Sequence, residues 1–391
     1  MDVALTGRTT LILAVLLALA MPAFTLFAWS RVGPASSRPA KIRRWTVRGA
    51  LVLGSQLSAV ILAGVLVNDA GNFYTSWLEL LGEKHTVRNV VAVPGSQDAV
   101  LRAKLAQARA QGRGLVTQIS IPGTSPRFGT FSALVYLPVQ YGSPGYAHRV
   151  FPVVELIAGS PGTPKTWTES LHVAQILDRE MAAGRSSPFI AVMPSQDVAG
   201  RRDTQCVNVV HGPNVERYLT LDVRNVITRA FRASTQSREW ALIGYSSGGF
   251  CATNLAMRHP ELFSAAVSIA GNAHPAHDSQ TGELFGKNPA VRNLNTPIWR
   301  ATHLAPPDVA LLLMSSAKDS STSRDAAELA AAARAPLSVS VLTLRRGGHN
   351  FEIWRAEEPV AFAWVSAQLT APLAPPPIID NTKPAHAPTS S

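Results

Sequence analysis

The stretch Glu239-Trp-Ala-Leu-Ile-Gly244-Tyr245-Ser246-Ser247-Gly248-Gly249-Phe250-Cys251 carries the residue types needed for acyl chemistry. Its first part reads as a strand and its last part as the start of a helix, with Gly-x-Ser-x-Gly between them. A serine in so tight a bend lifts its hydroxyl above a sheet edge. Glycines two before and two after it let the strand and helix backbones approach closely. The same bend aims the amides of the helix N-terminus at the place where an oxyanion would form. The spacing therefore predicts Ser246 as a nucleophile and the Ser247 amide as an oxyanion donor. A purely structural glycine–serine turn can share the motif; the flanking strand and helix favour the chemical reading.

A serine of this kind needs a base and an acid further along the chain. The last apolar run, Leu337–Leu344, leads into Arg345-Arg346-Gly347-Gly348-His349-Asn350-Phe351. A histidine on a glycine-flanked loop can reach over a sheet end to a serine, so His349 is the expected base. Of the other histidines after Ser246, His259 ends the nucleophile helix, His274, His277 and His303 fall in an irregular insertion, and His386 is in the tail. The run 308–315 ends in Ser316-Ala317-Lys318-Asp319, which puts Asp319 where it can orient an imidazole. Capping the next helix is its competing role, and Glu352 is the reserve acid. A second oxyanion donor is expected from Ala158-Gly159-Ser160-Pro161-Gly162, where Ser160 offers an amide and Pro161 has none.

These residues must be carried by alternating strands and helices. Apolar runs occur at 115–121, 132–139, 151–157, 188–193, 239–243, 264–270, 308–315 and 337–344, with helical stretches at 166–183, 215–232, 247–258, 324–334 and 356–369. Short continuous apolar strands alternating with helices predict an α/β domain with a mostly parallel sheet covered on both faces, over residues 113–370. Residues 69–112 read as a juxtamembrane linker with a short helix near 97–111. Residues 271–307, with Asn272, Phe285, Trp299 and two proline clusters, read as an insertion over the site. Residues 371–391 hold six prolines and are expected to be a disordered tail.

The chain has 391 residues, 46% hydrophobic and 16% charged, which excludes a disordered or coiled-coil protein and points to membrane-embedded segments. Two stretches without a charge, Thr9–Ser30 and Gly49–Asn68, are long enough to cross a bilayer. Between them lie Arg31, Arg38, Lys41, Arg43, Arg44 and Arg48 with no acid, so this loop is expected in the cytoplasm and both the N-terminus and everything after Asp69 outside. Residues 1–68 thus read as a two-helix plasma-membrane anchor, with Trp29, Phe73, Tyr74 and Trp77 as interfacial residues. The rival is a signal peptide cleaved near Ala18-Leu19-Ala20. The net charge of +11 suggests nucleic acid, but it is weighted to the basic loop and lacks an RNA-binding aromatic motif, so no nucleic-acid partner is expected.

With these residues in hand, the chain resembles the α/β-hydrolase superfamily over residues 115–370, and within it the esterase D and mycolyltransferase branch. The resemblance rests on Gly244–Gly249, on Gly348-His349-Asn350 followed by Trp354, and on the Asp203-Thr-Gln-Cys206 loop with Tyr218-Leu-Thr-Leu-Asp222. It implies a serine carboxylesterase or an acyltransferase, with Ser246 as nucleophile, His349 as base and Asp319 as acid, and no metal or cofactor. The mycolyltransferases are usually secreted and use a glutamate, and Ala158-Gly159 replaces the common His-Gly pair. Those departures weaken transfer of the mycolyl substrate, not of ester chemistry. Membrane-tethered relatives that remove aminoacyl groups from phosphatidylglycerol are an equal analogy, and a lipid or envelope ester is the expected substrate. A non-catalytic binding module on the same fold is the remaining rival.

In such a fold Cys206 and Cys251 both adjoin the active-site edge of the sheet. Outside the membrane they are expected to form a disulfide, with two packed free thiols as the alternative.

Overall fold

The computed structural model describes residues 8–32, 37–71, 96–126, 128–196, 198–200, 202–345, 347–370 and 372. Two long helices open the chain, α1 (Arg8–Arg31) and α2 (Arg38–Gly71). Both are long and apolar enough to cross a membrane. They pack side by side: Thr25 Oγ1 donates to the Leu51 carbonyl at 3.1 Å, and Arg48 donates to the Trp29 and Val32 carbonyls at 3.2 Å each. Large apolar side chains such as Leu19, Leu26, Leu53 and Val60 project outward from the pair. Of the interfacial residues expected from the sequence, Phe73, Tyr74 and Trp77 lie outside the described residues, as do the tail from 373 onward and much of the linker. The linker helix is α3 (Ser96–Ala110), which buries Ala108 in the domain core.

Among the described residues eight strands form one sheet: β1 (Leu115–Pro122), β2 (Thr130–Leu137), β3 (Val153–Ile157), β4 (Ile190–Pro194), β5 (Trp240–Tyr245), β6 (Ala265–Ile269), β7 (Ala310–Ser316) and β8 (Ser338–Leu344). Their order is β1-β2-β4-β3-β5-β6-β7-β8. The first two pair antiparallel and everything from β4 to β8 runs parallel. Parallel strands are covered by helices on both faces, and β3, β4, β5 and β6 are buried at every position, as their unbroken apolar runs require. One apolar cluster, including Trp240, Leu255 and Phe263, fills one face; another, including Trp167, Ile243 and Phe362, fills the other.

The helices that bear on the site are α4 (Pro164–Glu169), α5 (Val173–Ala182), α6 (Val215–Arg217), α7 (Arg224–Ala230), α8 (Ser247–Arg258), α9 (Pro289–Leu294), α10 (Pro297–His303), α11 (Ser320–Ala332) and α12 (Phe351–Gln368). Three departures from the sequence expectation have local causes. The helix expected at 166–183 is split, because His172 takes a left-handed conformation (φ 57°) and restarts the chain as α5. Between α6 and α7 the backbone widens into a π-helical turn, Tyr218–Val223, an extra residue per turn that a 3.6-residue pattern does not register. Within 271–307, α9 and α10 each begin at a proline, whose fixed φ suits the first helical turn.

Candidate active site

The tip of β5 and the start of α8 form the bend expected around Ser246. Ser246 has φ 56°, a left-handed value that a non-glycine residue adopts only when its surroundings hold it there. Its amide donates to the Ile269 carbonyl at 2.9 Å, which ties the bend to β6. The flanking glycines are there for space. A Cβ at Gly244 would lie 1.9 Å from the Gly248 carbonyl oxygen, and one at Gly248 would lie 2.2 Å from the Ile157 carbonyl oxygen.

His349 arrives from the loop after β8. Gly347 turns that loop with φ 96°, and its carbonyl accepts a hydrogen bond from the Ser316 hydroxyl at 2.8 Å. Asn350 caps α12 by accepting from the Ile353 amide, and Trp354 presents its ring edge-on to the His349 imidazole at 4.9 Å. The histidine is thus held from two sides. Its Nε2 lies 2.9 Å from the Ser246 hydroxyl oxygen and its Nδ1 lies 2.7 Å from Asp319 Oδ2. With the Nδ1 proton donated to Asp319, Nε2 is left to accept from the serine.

Asp319 stands just past β7, at the N-cap position of α11, yet its side chain makes no cap hydrogen bond there. It is mostly buried, whereas the His349 side chain is 41% exposed. Burial works to raise the Asp319 pKa, but hydrogen bonds from His349, Thr322 and Ser321 and the nearby imidazole outweigh it and hold the carboxyl below its ordinary value. Glu352, the reserve acid, is exposed on the first turn of α12.

Of the expected oxyanion donors, Ser247 opens α8, directly after the bend. The Ser160 amide donates to the Ser247 hydroxyl at 2.7 Å. The loop that carries it is close to Ser246: a Cβ at Gly159 would stand 3.0 Å from Ser246 Cβ.

Cys206 and Cys251 form a disulfide with their Cα atoms 5.5 Å apart, closing a separation of 45 residues. It fastens the loop after β4 to α8. Three side chains of that loop are buried, Gln196, Asp203 and Gln205. The sequence pattern did not single out Gln196, and noted Asp203 and Gln205 only as part of the resemblance. Gln196 follows β4 directly, and that placement at a strand's carboxyl end was the available signal.

The insertion 271–307 packs on the same loop. Leu284 and Phe285 meet Val207 and Val209 in a satellite core, and the Asp203 amide donates to the Gln280 carbonyl at 3.2 Å. Asp325, on α11, accepts from the Ala273 amide at 2.7 Å and pairs with His274 Nδ1 at 3.3 Å. His259 lies at the far end of α8, between Glu216 and Glu261, so it does not join the site.

A sequence model of the Esterase family matches residues 129–368, more than half of the chain and including every side chain just described. The chain belongs to the Esterase family. The matched region is accordingly an esterase-type, carboxylic ester hydrolase domain. An uncharacterized protein of Corynebacterium glutamicum is 27% identical over 270 residues, covering 65% of this chain and 62% of that protein, so the chain spans under two thirds of that relative's length. Among solved structures, a ferulic acid esterase superposes with a TM-score of 0.56 at 21% identity, over 66% of this chain and 98% of that one. An S-formylglutathione hydrolase from Agrobacterium tumefaciens gives 0.55 at 16% identity, over 66% and 96%. The fluorophosphonate-binding serine hydrolase F of Staphylococcus aureus gives 0.53 at 16%, over 65% and 99%. At these identities the likeness carries the α/β-hydrolase fold.

Proposed function

We propose that this esterase domain is a membrane-anchored, extracytoplasmic serine hydrolase that cleaves carboxylic esters of lipids or envelope components through an acyl-enzyme. The observation that carries the reading is the unbroken chain from the Ser246 hydroxyl through His349 to Asp319, at 2.9 and 2.7 Å. In the cycle His349 Nε2 takes the Ser246 proton as the hydroxyl oxygen attacks the ester carbonyl. Asp319 holds the imidazole tautomer and supports its positive charge. The amides of Ser247 and Ser160 receive the tetrahedral oxyanion at the positive end of α8. The protonated imidazole returns its proton to the leaving alcohol, and a water activated by the same nitrogen then frees the acid and Ser246.

Support for the anchor comes from α1 and α2, whose outward faces are apolar and whose adjoining ends carry Arg31, Arg38, Lys41, Arg43, Arg44 and Arg48 with no acid. A domain tethered beside the outer leaflet meets ester groups of lipids, aminoacyl-phospholipids among them, at high local concentration. The full chain in native membranes tests the reading. A fluorophosphonate probe should label it, and Ser246→Ala should not be labelled. Lipid extracts of membranes carrying wild type should lose an ester-linked acyl or aminoacyl species that Ser246→Ala membranes retain. Cleavage of small soluble esters with no lipid change would remove the lipid substrate, and appearance of the acyl group on a new alcohol would make the enzyme a transferase.

A further inference from the structure

One peptide unit in the wall of the site is gripped at both ends. The Gly159 carbonyl accepts from Gln196 Nε2 at 3.1 Å, and the Ser160 amide of the same peptide donates to the Ser247 hydroxyl at 2.7 Å. Gln196 is wholly buried, with its Oε1 3.9 Å from the Cys206 sulfur, so the disulfide backs it. The Asp203 carboxylate, only 5% exposed, lies near the Ser247 hydroxyl. Asp203 is fixed by Gln205, whose amide reaches Oδ1 at 2.8 Å and whose Nε2 reaches Oδ2 at 2.7 Å. Gln205 Oε1 accepts from the Ala276 amide at 3.0 Å, so the chain of contacts ends on the 271–307 insertion.

We propose that Gln196 and Ser247 are positioning residues for the oxyanion hole, clamping the Gly159–Ser160 peptide so that the Ser160 N–H faces the reacting carbonyl. The proposal rests on the reading of the Ser160 amide as an oxyanion donor. A peptide plane can rotate about its flanking bonds, and rotation would turn a carbonyl oxygen towards the developing negative charge. Holding the oxygen on Gln196 and the N–H on Ser247 blocks that rotation. The Ser247 oxygen is the acceptor of that amide. In the free enzyme this acceptor is a neutral hydroxyl. The tetrahedral oxyanion is charged, forms the stronger hydrogen bond, and takes the N–H from it. A ground-state carbonyl competes less well, so the clamp favours the transition state over bound substrate.

The test uses the full chain in detergent, p-nitrophenyl butyrate as substrate and a fluorophosphonate as covalent probe. Gln196→Met and Ser247→Ala should each lower kcat by about 10- to 100-fold with KM nearly unchanged. Labelling of Ser246 should slow in parallel, and affinity for butylboronic acid, a tetrahedral mimic, should fall by the same factor. Ser247→Thr, which keeps the hydroxyl, should recover most of the loss. If Gln196→Met or Ser247→Ala does not fold, the other carries the test by itself, with the same loss expected. Unchanged kcat, a faster Ser247→Ala enzyme, or a loss that Ser247→Thr fails to rescue would each overturn the proposal. Failure of wild type to be labelled at Ser246 would remove the nucleophile beneath it; labelled wild type with indifferent variants would remove the clamp alone.

Discussion

The two ends of helix α8 each set a histidine against a carboxylate at 2.7 Å, yet they do different things. At the N-terminal end His349 meets Asp319 on one nitrogen and the Ser246 hydroxyl on the other. At the C-terminal end His259 Nε2 meets Glu216, while its Nδ1 meets Glu261 at 3.0 Å and Arg258 joins Glu216 at 2.8 Å. A histidine between two acids has its cationic form favoured. A histidine between one acid and a hydroxyl keeps a lone pair for a proton. The helix dipole deepens the contrast, because its C-terminus favours positive charge and its N-terminus favours an oxyanion. Distance to a carboxylate does not tell the two histidines apart; the group on the second nitrogen and the end of the helix do.

The comparison breaks first at the serine. Ser246→Ala or His349→Ala should reduce ester turnover by about 10⁴- to 10⁶-fold, and the double variant should lose little more, because the two act as one unit. A single variant within tenfold of wild type would move the nucleophile elsewhere. Asp319→Asn should cost about 10²- to 10⁴-fold in kcat by admitting the wrong imidazole tautomer, with the thermal midpoint nearly unchanged. Glu352→Gln, on an exposed side chain, should leave kcat as it was. The reverse result would exchange the two acids.

How much of this was legible in the sequence depends on whether a feature is local. The run Trp240–Tyr245, the bend and α8 are contiguous, and the helix boundaries 247–258 agree with the structure residue for residue. His349 and Asp319 were legible because each follows directly on an apolar strand, so topology alone brings them to one sheet edge. The clamp on the Gly159–Ser160 peptide was not. It joins residues 159, 160, 196 and 247 from three separate loop or helix ends, and no spacing rule links them. The split at His172 and the π turn at Tyr218–Val223 escaped for another reason: a single backbone angle or one inserted residue leaves the apolar periodicity almost intact. Asn350 escaped in a similar way: it caps α12 at Phe351, five residues ahead of the start at 356 that the apolar pattern suggested.

A middle-sized effect separates the ends of α8 by what fastens them. Near its start Cys251 is bonded to Cys206, and closing a 45-residue separation constrains the unfolded chain by about 4 kcal/mol in the loop-entropy account. Replacing both cysteines by serine should lower the thermal midpoint of the detergent-solubilised full chain by several degrees, and reductant should do the same to wild type. Activity at low temperature should fall too, since the disulfide backs Gln196. A stable double variant with a lowered kcat would show that the bond serves the site more than the fold.

The smallest effect belongs to the far end and is pH-dependent. Burial works to lower the His259 pKa, but hydrogen bonds to Glu216 and Glu261 and their charges outweigh it and hold the group above its ordinary value. A raised folded-state pKa means that the stabilisation is complete below about pH 6.5 and is lost as pH rises through the folded value. For Glu216, burial works upward but is outweighed by His259 and Arg258, which hold its pKa below the ordinary value. That contribution is complete above about pH 4.3 and is lost as pH falls through the folded value. His259→Gln should therefore lower stability by about 1 kcal/mol at pH 6, and the gap to wild type should close by pH 9. Thermal midpoints at the two pH values measure this, while kcat stays within twofold of wild type at about neutral pH. A gap that persists at pH 9 would assign His259 to packing, and a large loss of kcat would mean that the two ends of the helix are not the separate devices their geometry describes.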